Sequence, residues 1–400
     1  MGGAHSHSHR HGDDVEVGPV AKRVLLGFLV VCAIATVVGL VALWPDRGTV
    51  SALKDKAQYA APGVTFLKAD VTEVDTTCPA GSDQSDEGAG CGTVTATLDS
   101  GPEKGASEKI GVPPAVAESG LGAGDTVRLM RIPGTNGAAA TYAFDDVVRD
   151  QPLWILWIIF VVAVAAVARL RGILALIGLG FGGGVLFWFM LPALLSGSSG
   201  IAVALVGSAA IMYVVLYVAH GPSIRTSAAL AGTLIGVGIT ALIGYLAIDR
   251  ASLSGFSDEG SALLSAFAEQ ISFQGLLTCA LVIAGLGVLN DVTITQASSV
   301  WELREAGPTL TRRQLFTSGM RIGRDHIAST IYTIVFAYAG SALSVLLLLS
   351  LYDRPLAQLL SSEAISEEIV RTLASGIGLV LAVPVTTAIA AFTVTGPRKD

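Results

Sequence analysis

Residues 275–302, GLLTCALVIAGLGVLNDVTITQASSVWE, decide how this chain is read. The segment opens as an unbroken apolar helix and then takes on Asn290, Asp291, Thr293, Thr295, Gln296, Ser298 and Ser299 with no turn signal between. At about 100° per residue, Asp291, Thr295, Ser298 and Glu302 fall within an arc of about 60°, which further back carries Gly287, Ala284 and Ala280. One stripe is small in its first half and polar in its second. A carboxylate at bilayer depth is costly, so it normally faces a bundle interior or a wet cavity. The stripe is the first candidate site.

Working outward, the rest of the chain has the same apolar character. Of 400 residues, 52% are hydrophobic and 14% charged, against roughly 25% charged in soluble domains. Apolar runs fall at about 24–43, 153–169, 172–194, 201–219, 226–247, 275–295, 327–350 and 371–394. Each approaches the length that crosses a hydrocarbon core roughly 30 Å thick. Residues 45–152 differ, with period-two segments at 64–71, 93–98, 125–130 and 141–144 separated by Gly, Pro and Asp clusters. The expected fold is mainly α, a polytopic membrane protein with about eight transmembrane helices. A small all-β extracytoplasmic domain, a barrel of five or six short strands, is inserted after the first helix. The domains are then a His-rich tail (1–21), a first span (22–44), the β domain (45–152) and a seven-helix membrane domain (153–396).

Charge sets the orientation. Placing the N-terminus in the cytoplasm puts Lys22-Arg23, Arg169, Arg171, Arg225, Arg304, Arg312, Arg313, Arg321, Arg324 and Arg398-Lys399 inside, as the positive-inside rule asks. Asp249, Asp258, Glu259, Glu269, Asp353, Glu363, Glu367 and Glu368 fall outside with residues 45–152. There Cys78 and Cys91, flanking an acidic Gly-rich loop, can oxidise to a disulfide. The C-terminus returns to the cytoplasm. Residues 303–326 read as a basic cytoplasmic loop with a short helix near 312–319. In the tail, His5, His7, His9 and His11 could chelate a transition metal weakly, and the plainer reading is a low-complexity tail.

Several function classes drop out. A net charge of −7 with scattered bases offers no groove for nucleic acid. No HExxH, Walker loop or CxxC occurs, so no enzyme and no cofactor is expected. The remaining candidates lie near the cytoplasmic end of 275–302: Asn290, Asp291, Thr295, Ser298 and Glu302, with Arg324, Asp325 and His326 on the same side. An Asp291–Arg324 pair is geometrically allowed. Gly232 and Gly236 form a small-xxx-small pair for close helix packing, and Tyr213, Tyr217 and His220 form an aromatic stripe. No internal repeat stands out beyond shared Gly and Thr content.

The segments YAFDDVVR (142–149), GLGVLNDVTITQASSVWEL (285–303) and GRDHIASTIYTIVFAYAGSALSVLLL (323–348) are similar to the YibE/F family of bacterial membrane proteins. PSIRTSAALAGTLIGV (222–237) and EIVRTLASGIGLVLAVPVT (368–386) fit the same pattern. The resemblance covers most of residues 140–395. It implies a bacterial plasma-membrane architecture and brings no catalytic or binding residues. Two functions are expected of such a chain. One is a permease for a small solute or ion, with Asp291 near a cytoplasmic gate. The other is a non-transporting scaffold or sensor whose β domain binds an envelope protein. In both, the lipid bilayer is the surrounding partner.

Overall fold

The computed structural model describes residues 15–57, 61–76, 92–134, 138–257, 259–351 and 355–397. Two compact units result, residues 57–163 and the remainder. The helices, in chain order, are α1 (Pro19–Ala42), α2 (Arg47–Lys56), the one-turn α3 (Pro114–Ala117) and α4 (Asp150–Val185). A π-helical turn (Leu186–Met190) leads into α5 (Leu191–Leu195), α6 (Gly200–His220), α7 (Ile224–Arg250), α8 (Glu259–Phe267) and α9 (Phe273–Ala306). The last are α10 (Arg312–Ser341), α11 (Leu343–Ser350), α12 (Leu356–Leu360) and α13 (Glu363–Thr393).

The smaller unit is a curled antiparallel sheet of β1 (Thr65–Asp75), β2 (Gly92–Leu98), β3 (Ser107–Val112), β4 (Thr126–Ile132) and β5 (Thr141–Val147), in the order β3-β2-β1-β4-β5. β3 and β5 approach each other without pairing, which leaves a partly open barrel. Val94, Ala96 and Leu98 of β2 alternate inward and meet Val71, Ile110, Val127 and Leu129 in one core, as a strand with one buried face requires. β3 went unread in the sequence because SEKIGV carries two charges and a glycine in six residues.

Among the described residues, six helices are long and apolar enough to cross a membrane. They become seven when α10 and α11, bent by 66°, count as one broken span. The count differs from eight chiefly in α4. The runs at 153–169 and 172–194 form one 46-residue element through Leu195, whose backbone leaves helical geometry at Arg169 (φ 51°, ψ −136°). A Cβ on Gly172 would lie 2.7 Å from the Val164 carbonyl oxygen. In a straight helix those residues are about 12 Å apart, so the chain folds back at Arg169.

The expected loop at 303–326 is also corrected. α9 runs on to Ala306 and α10 starts at Arg312, so residues 307–311 alone connect them. Thr311 and Gln314 form a reciprocal capping box, which fixes the start of α10 just after Gly307 and Pro308 break the preceding helix. Polarity there marks exposure rather than a loop.

Small residues set the helix register. Gly232 faces Thr386, Gly236 faces Ala382, and Gly378 faces Thr240, so α7 and α13 run antiparallel in rows four residues apart. Gly319 faces Thr387 and Gly323 faces Val383, making α10 and α13 antiparallel. Leu289 and Leu281 on α9 meet Gly236 and Gly244 on α7, again antiparallel. Gly178 and Gly182 of α4 lie on Val215 and Ile211 of α6. Gly39 of α1 lies on Val206, and Tyr213 donates a 2.6 Å hydrogen bond to the Leu29 carbonyl. Hence both α1 and the second limb of α4 oppose α6.

The shared Gly and Thr content therefore has a pattern. Ala228, Gly232, Gly236, Thr240 and Gly244 on α7 correspond at one constant spacing to Ala374, Gly378, Ala382, Thr386 and Ala390 on α13. Arg225-Thr226 and Arg371-Thr372 keep that spacing too. All ten small-row positions are buried. Flanking this pair, α6 packs on α7 and α9, and α10 packs on α13 and α9. α9 sits between two matched helix hairpins.

Candidate functional site

The polar residues of α9 divide between two faces. Toward α7, α10 and α13 lie Thr293 and Gln296, both buried. The Thr293 and Thr233 hydroxyls are 2.6 Å apart. The Gln296 amide donates to the Gly319 carbonyl at 2.8 Å and the Thr387 hydroxyl at 2.7 Å. Gly319 and Gly323 leave room for it: a Cβ on Gly323 would sit 3.0 Å from Gln296 Oε1. This one amide holds three helices. Thr240 and Thr386, equivalent positions on α7 and α13, are fully buried with no hydrogen-bond partner for their hydroxyls. Each lies against the facing glycine, the setting of weak Cα–H···O contacts.

The other face carries the stripe singled out by sequence. Ala284, Gly287, Asp291 and Glu302 are exposed, and Thr295 and Ser298 are partly so. Asp291 has 71% of its side chain exposed, and its Oδ2 lies 3.8 Å from His326 Nε2 on α10. The pairing expected with Arg324 is thus corrected: the histidine occupies that position, and Arg324 and Asp325 point outward. The geometry explains the difference, since α9 and α10 pack antiparallel with Gln296 lying between Gly319 and Gly323, which brings His326 level with Asp291.

Depth follows from the same register. Thr293 meets Thr233, nine residues into α7, so Asp291 is about 15 Å from the start of that helix. It lies within the height of the bundle, not at its rim. An ionised carboxylate turned straight to lipid there costs about 2.5–3.5 kcal/mol on insertion scales. The Asp291 face therefore suits water better than plain hydrocarbon.

The other sequence candidates separate. Asn290 lies between the faces, with its Oδ1 buried and unpartnered. Tyr213 bonds to α1, and the Tyr217 and Ser227 hydroxyls are 3.0 Å apart, so the aromatic stripe is a packing element. Cys78, Cys91, His5, His7, His9 and His11 lie outside the described residues. Sequence reasoning missed Gln296 as a centre: it lies about 140° round the helix from Asp291, and the missing clue was its alignment with the Gly319 and Gly323 row.

In the β unit, Glu103 accepts from Arg131 Nε and Nη2 at 3.0 and 2.8 Å and from the Tyr142 hydroxyl at 2.8 Å. The Arg131 bonds first, and the Tyr142 bond second, pull the Glu103 carboxyl down to about 2. A cavity of about 460 Å³ in this unit is rimmed by Lys68, Asp70, Asp99, Asp125 and Arg149.

Long apolar helices packed by glycine rows, with an aspartate–histidine contact within the height of the bundle, define a polytopic membrane-type helical protein. Its sequence matches the YibE/F-like protein family over residues 156–396. The chain belongs to that family. No curated protein and no solved structure gives a match.

Proposed function

We propose that the chain is a permease of the bacterial plasma membrane for a small solute or ion. The observation that supports it best is the matched register of α7 and α13. Two helix hairpins of opposite direction, α6–α7 and α10–α13, flank α9 in the manner of inverted-topology repeats. Such repeats are a common basis of transporter folds, because exchanging the conformations of two halves opens a path to either side. On this reading the path follows the outward face of α9 between α6 and α10. Asp291 and His326 form the gating or ion-coupling pair, while Asn290, Thr295, Ser298 and Glu302 line the way with Arg324 and Asp325 at the inner mouth. The reading involves no catalytic residue and no cofactor.

Eight spans are part of the proposal. α1 and the second limb of α4 both oppose α6, so the chain between them has to return across the bilayer. The apolar first limb of α4 is the segment available for that crossing. With Lys22-Arg23 inside, residues 45–152 are extracytoplasmic and both termini cytoplasmic.

Flux into liposomes containing the full-length protein, under proton, sodium and potassium gradients, tests the function. Wild type should carry at least one of these ions, and Asp291→Asn should lose most of that flux while remaining folded. Absence of flux for ions and a panel of small solutes would sink the permease. The charged rim of the β-unit cavity supports the scaffold or sensor as second reading; an envelope protein captured through that rim, with no flux, would favour it.

A further inference from the structure

A second site is built into the membrane unit, away from α9. A cavity of about 670 Å³ runs between α1, α7 and α13. Its walls are apolar side chains, among them Val20, Val24 and Phe28 of α1, Ile235 of α7 and Phe392 of α13, with Arg312 as the one charged lining residue. The α1 wall extends from Pro19 to Phe28, about 14 Å at 1.5 Å per residue. That is close to half of a hydrocarbon core roughly 30 Å thick, the depth of one leaflet.

The cation stands at the headgroup end. Arg312 is the first residue of α10, where backbone N–H groups without intrahelical partners add a positive dipole end. One guanidinium nitrogen makes a long, 3.4 Å bond to the Val394 carbonyl and would lie 3.7 Å from a Cβ on Gly18. Lys22, Arg23 and Arg313 are exposed nearby in the sequence of the same two helix starts. The groove is held open by backbone contacts: Gly18 N–H donates to the Thr393 carbonyl at 3.0 Å, Thr395 N–H donates to the Glu16 carbonyl at 2.9 Å, and Val17 bridges Val394. Glu16 lines a neighbouring cavity rather than this one.

We propose that this groove binds an anionic phospholipid from the leaflet in which α1 begins. One acyl chain lies along Val20, Val24 and Phe28, and the phosphate meets Arg312 at the start of α10. A zwitterionic lipid fits the groove equally and gains less from the basic rim, where each nearby cation contributes about 1 kcal/mol toward an anionic headgroup. That corresponds to roughly a fivefold preference per cation.

Native mass spectrometry of the delipidated full-length protein, with added phosphatidylglycerol or phosphatidylcholine, tests the site. Phosphatidylglycerol should bind more tightly, and Arg312→Gln should weaken it about fivefold while leaving phosphatidylcholine unchanged. Val24→Trp, which fills the groove and keeps the cation, should weaken both lipids; its position is 67% exposed, so the bundle tolerates the larger ring. Arg171→Gln, a basic residue outside the cavity, should change neither. Equal binding of the two lipids, or no effect of Arg312→Gln, overturns the proposal. Displacement of phosphatidylglycerol by equimolar glycerol phosphate also overturns it, in favour of a small-anion site. If Arg312→Gln lowers the melting temperature, Val24→Trp tests the groove and the wild-type preference for phosphatidylglycerol over phosphatidylcholine tests the charge.

Discussion

Glu103 shows how much one carboxylate can depend on its neighbours. Arg131 and Tyr142 bond its ionised form, so its folded value lies near 2 against about 4.3 in an unfolded chain. A depressed carboxyl contributes stability above the unfolded value and loses it as pH falls toward the folded one. Hydrogen exchange in β4 and β5 of the full-length protein, corrected for intrinsic pH dependence, should therefore accelerate between about pH 4.5 and 2. Glu103→Gln should exchange faster at neutral pH and show no added acceleration through that window. An unchanged profile in the variant would mean that the bonds contribute nothing to holding β4 and β5. Residue-level legibility was uneven. Asp291 was found by its charge, because no other charged residue occurs in α9 before Glu302. Gln296 was passed over, because an amide among threonines and serines looks ordinary until the Gly319 carbonyl and the Thr387 hydroxyl meet on it.

Among elements, the seam between α7 and α13 depends on the absence of side-chain atoms. A Cβ on Gly232 would strike the Thr386 hydroxyl, whereas one on Gly238 would meet nothing within 4 Å. Gly232→Val should thus destabilise the helical unit by about 1–3 kcal/mol, the usual range for overpacking. Gly238→Val should leave it nearly unchanged. Gly378→Val should resemble Gly232→Val, since it strikes Thr240 in the equivalent place. Thermal unfolding in detergent measures all three, and equal melting for the Gly232 and Gly238 variants would discredit the seam. Element types were legible wherever periodicity was long, as in α1, α6, α7, α9 and α13. Boundaries were not. The basic start of α10 looked like a loop, and the fold-back at Arg169 carries neither Gly nor Pro at its turning residue. The α7–α13 repeat escaped notice because its signal lies in every fourth residue, and only the packing register selects those rows.

At the scale of the whole molecule, the proposed topology places the β unit outside. A cysteine introduced at Ser100, a partly exposed bend position between β2 and β3, should react with a membrane-impermeant thiol reagent on intact cells. Labelling only after permeabilisation would reverse the orientation. Class and family were readable from hydropathy and a few signature segments, because lipid imposes composition on whole helices. Function was less readable, since the proposed transport path depends on which face of α9 is wet, and hydropathy is blind to faces.

The short bridge between Val17 and Val394 has one more consequence. Joining those two residues makes the chain between them a closed curve, and a closed curve crosses any sheet an even number of times. If the sheet is a lipid bilayer, seven crossings are forbidden whatever the hydropathy of α10 and α11 suggests. Only an even count survives, eight in the proposed topology, and any regulator or fusion attached just outside either end of that curve would meet the same compartment.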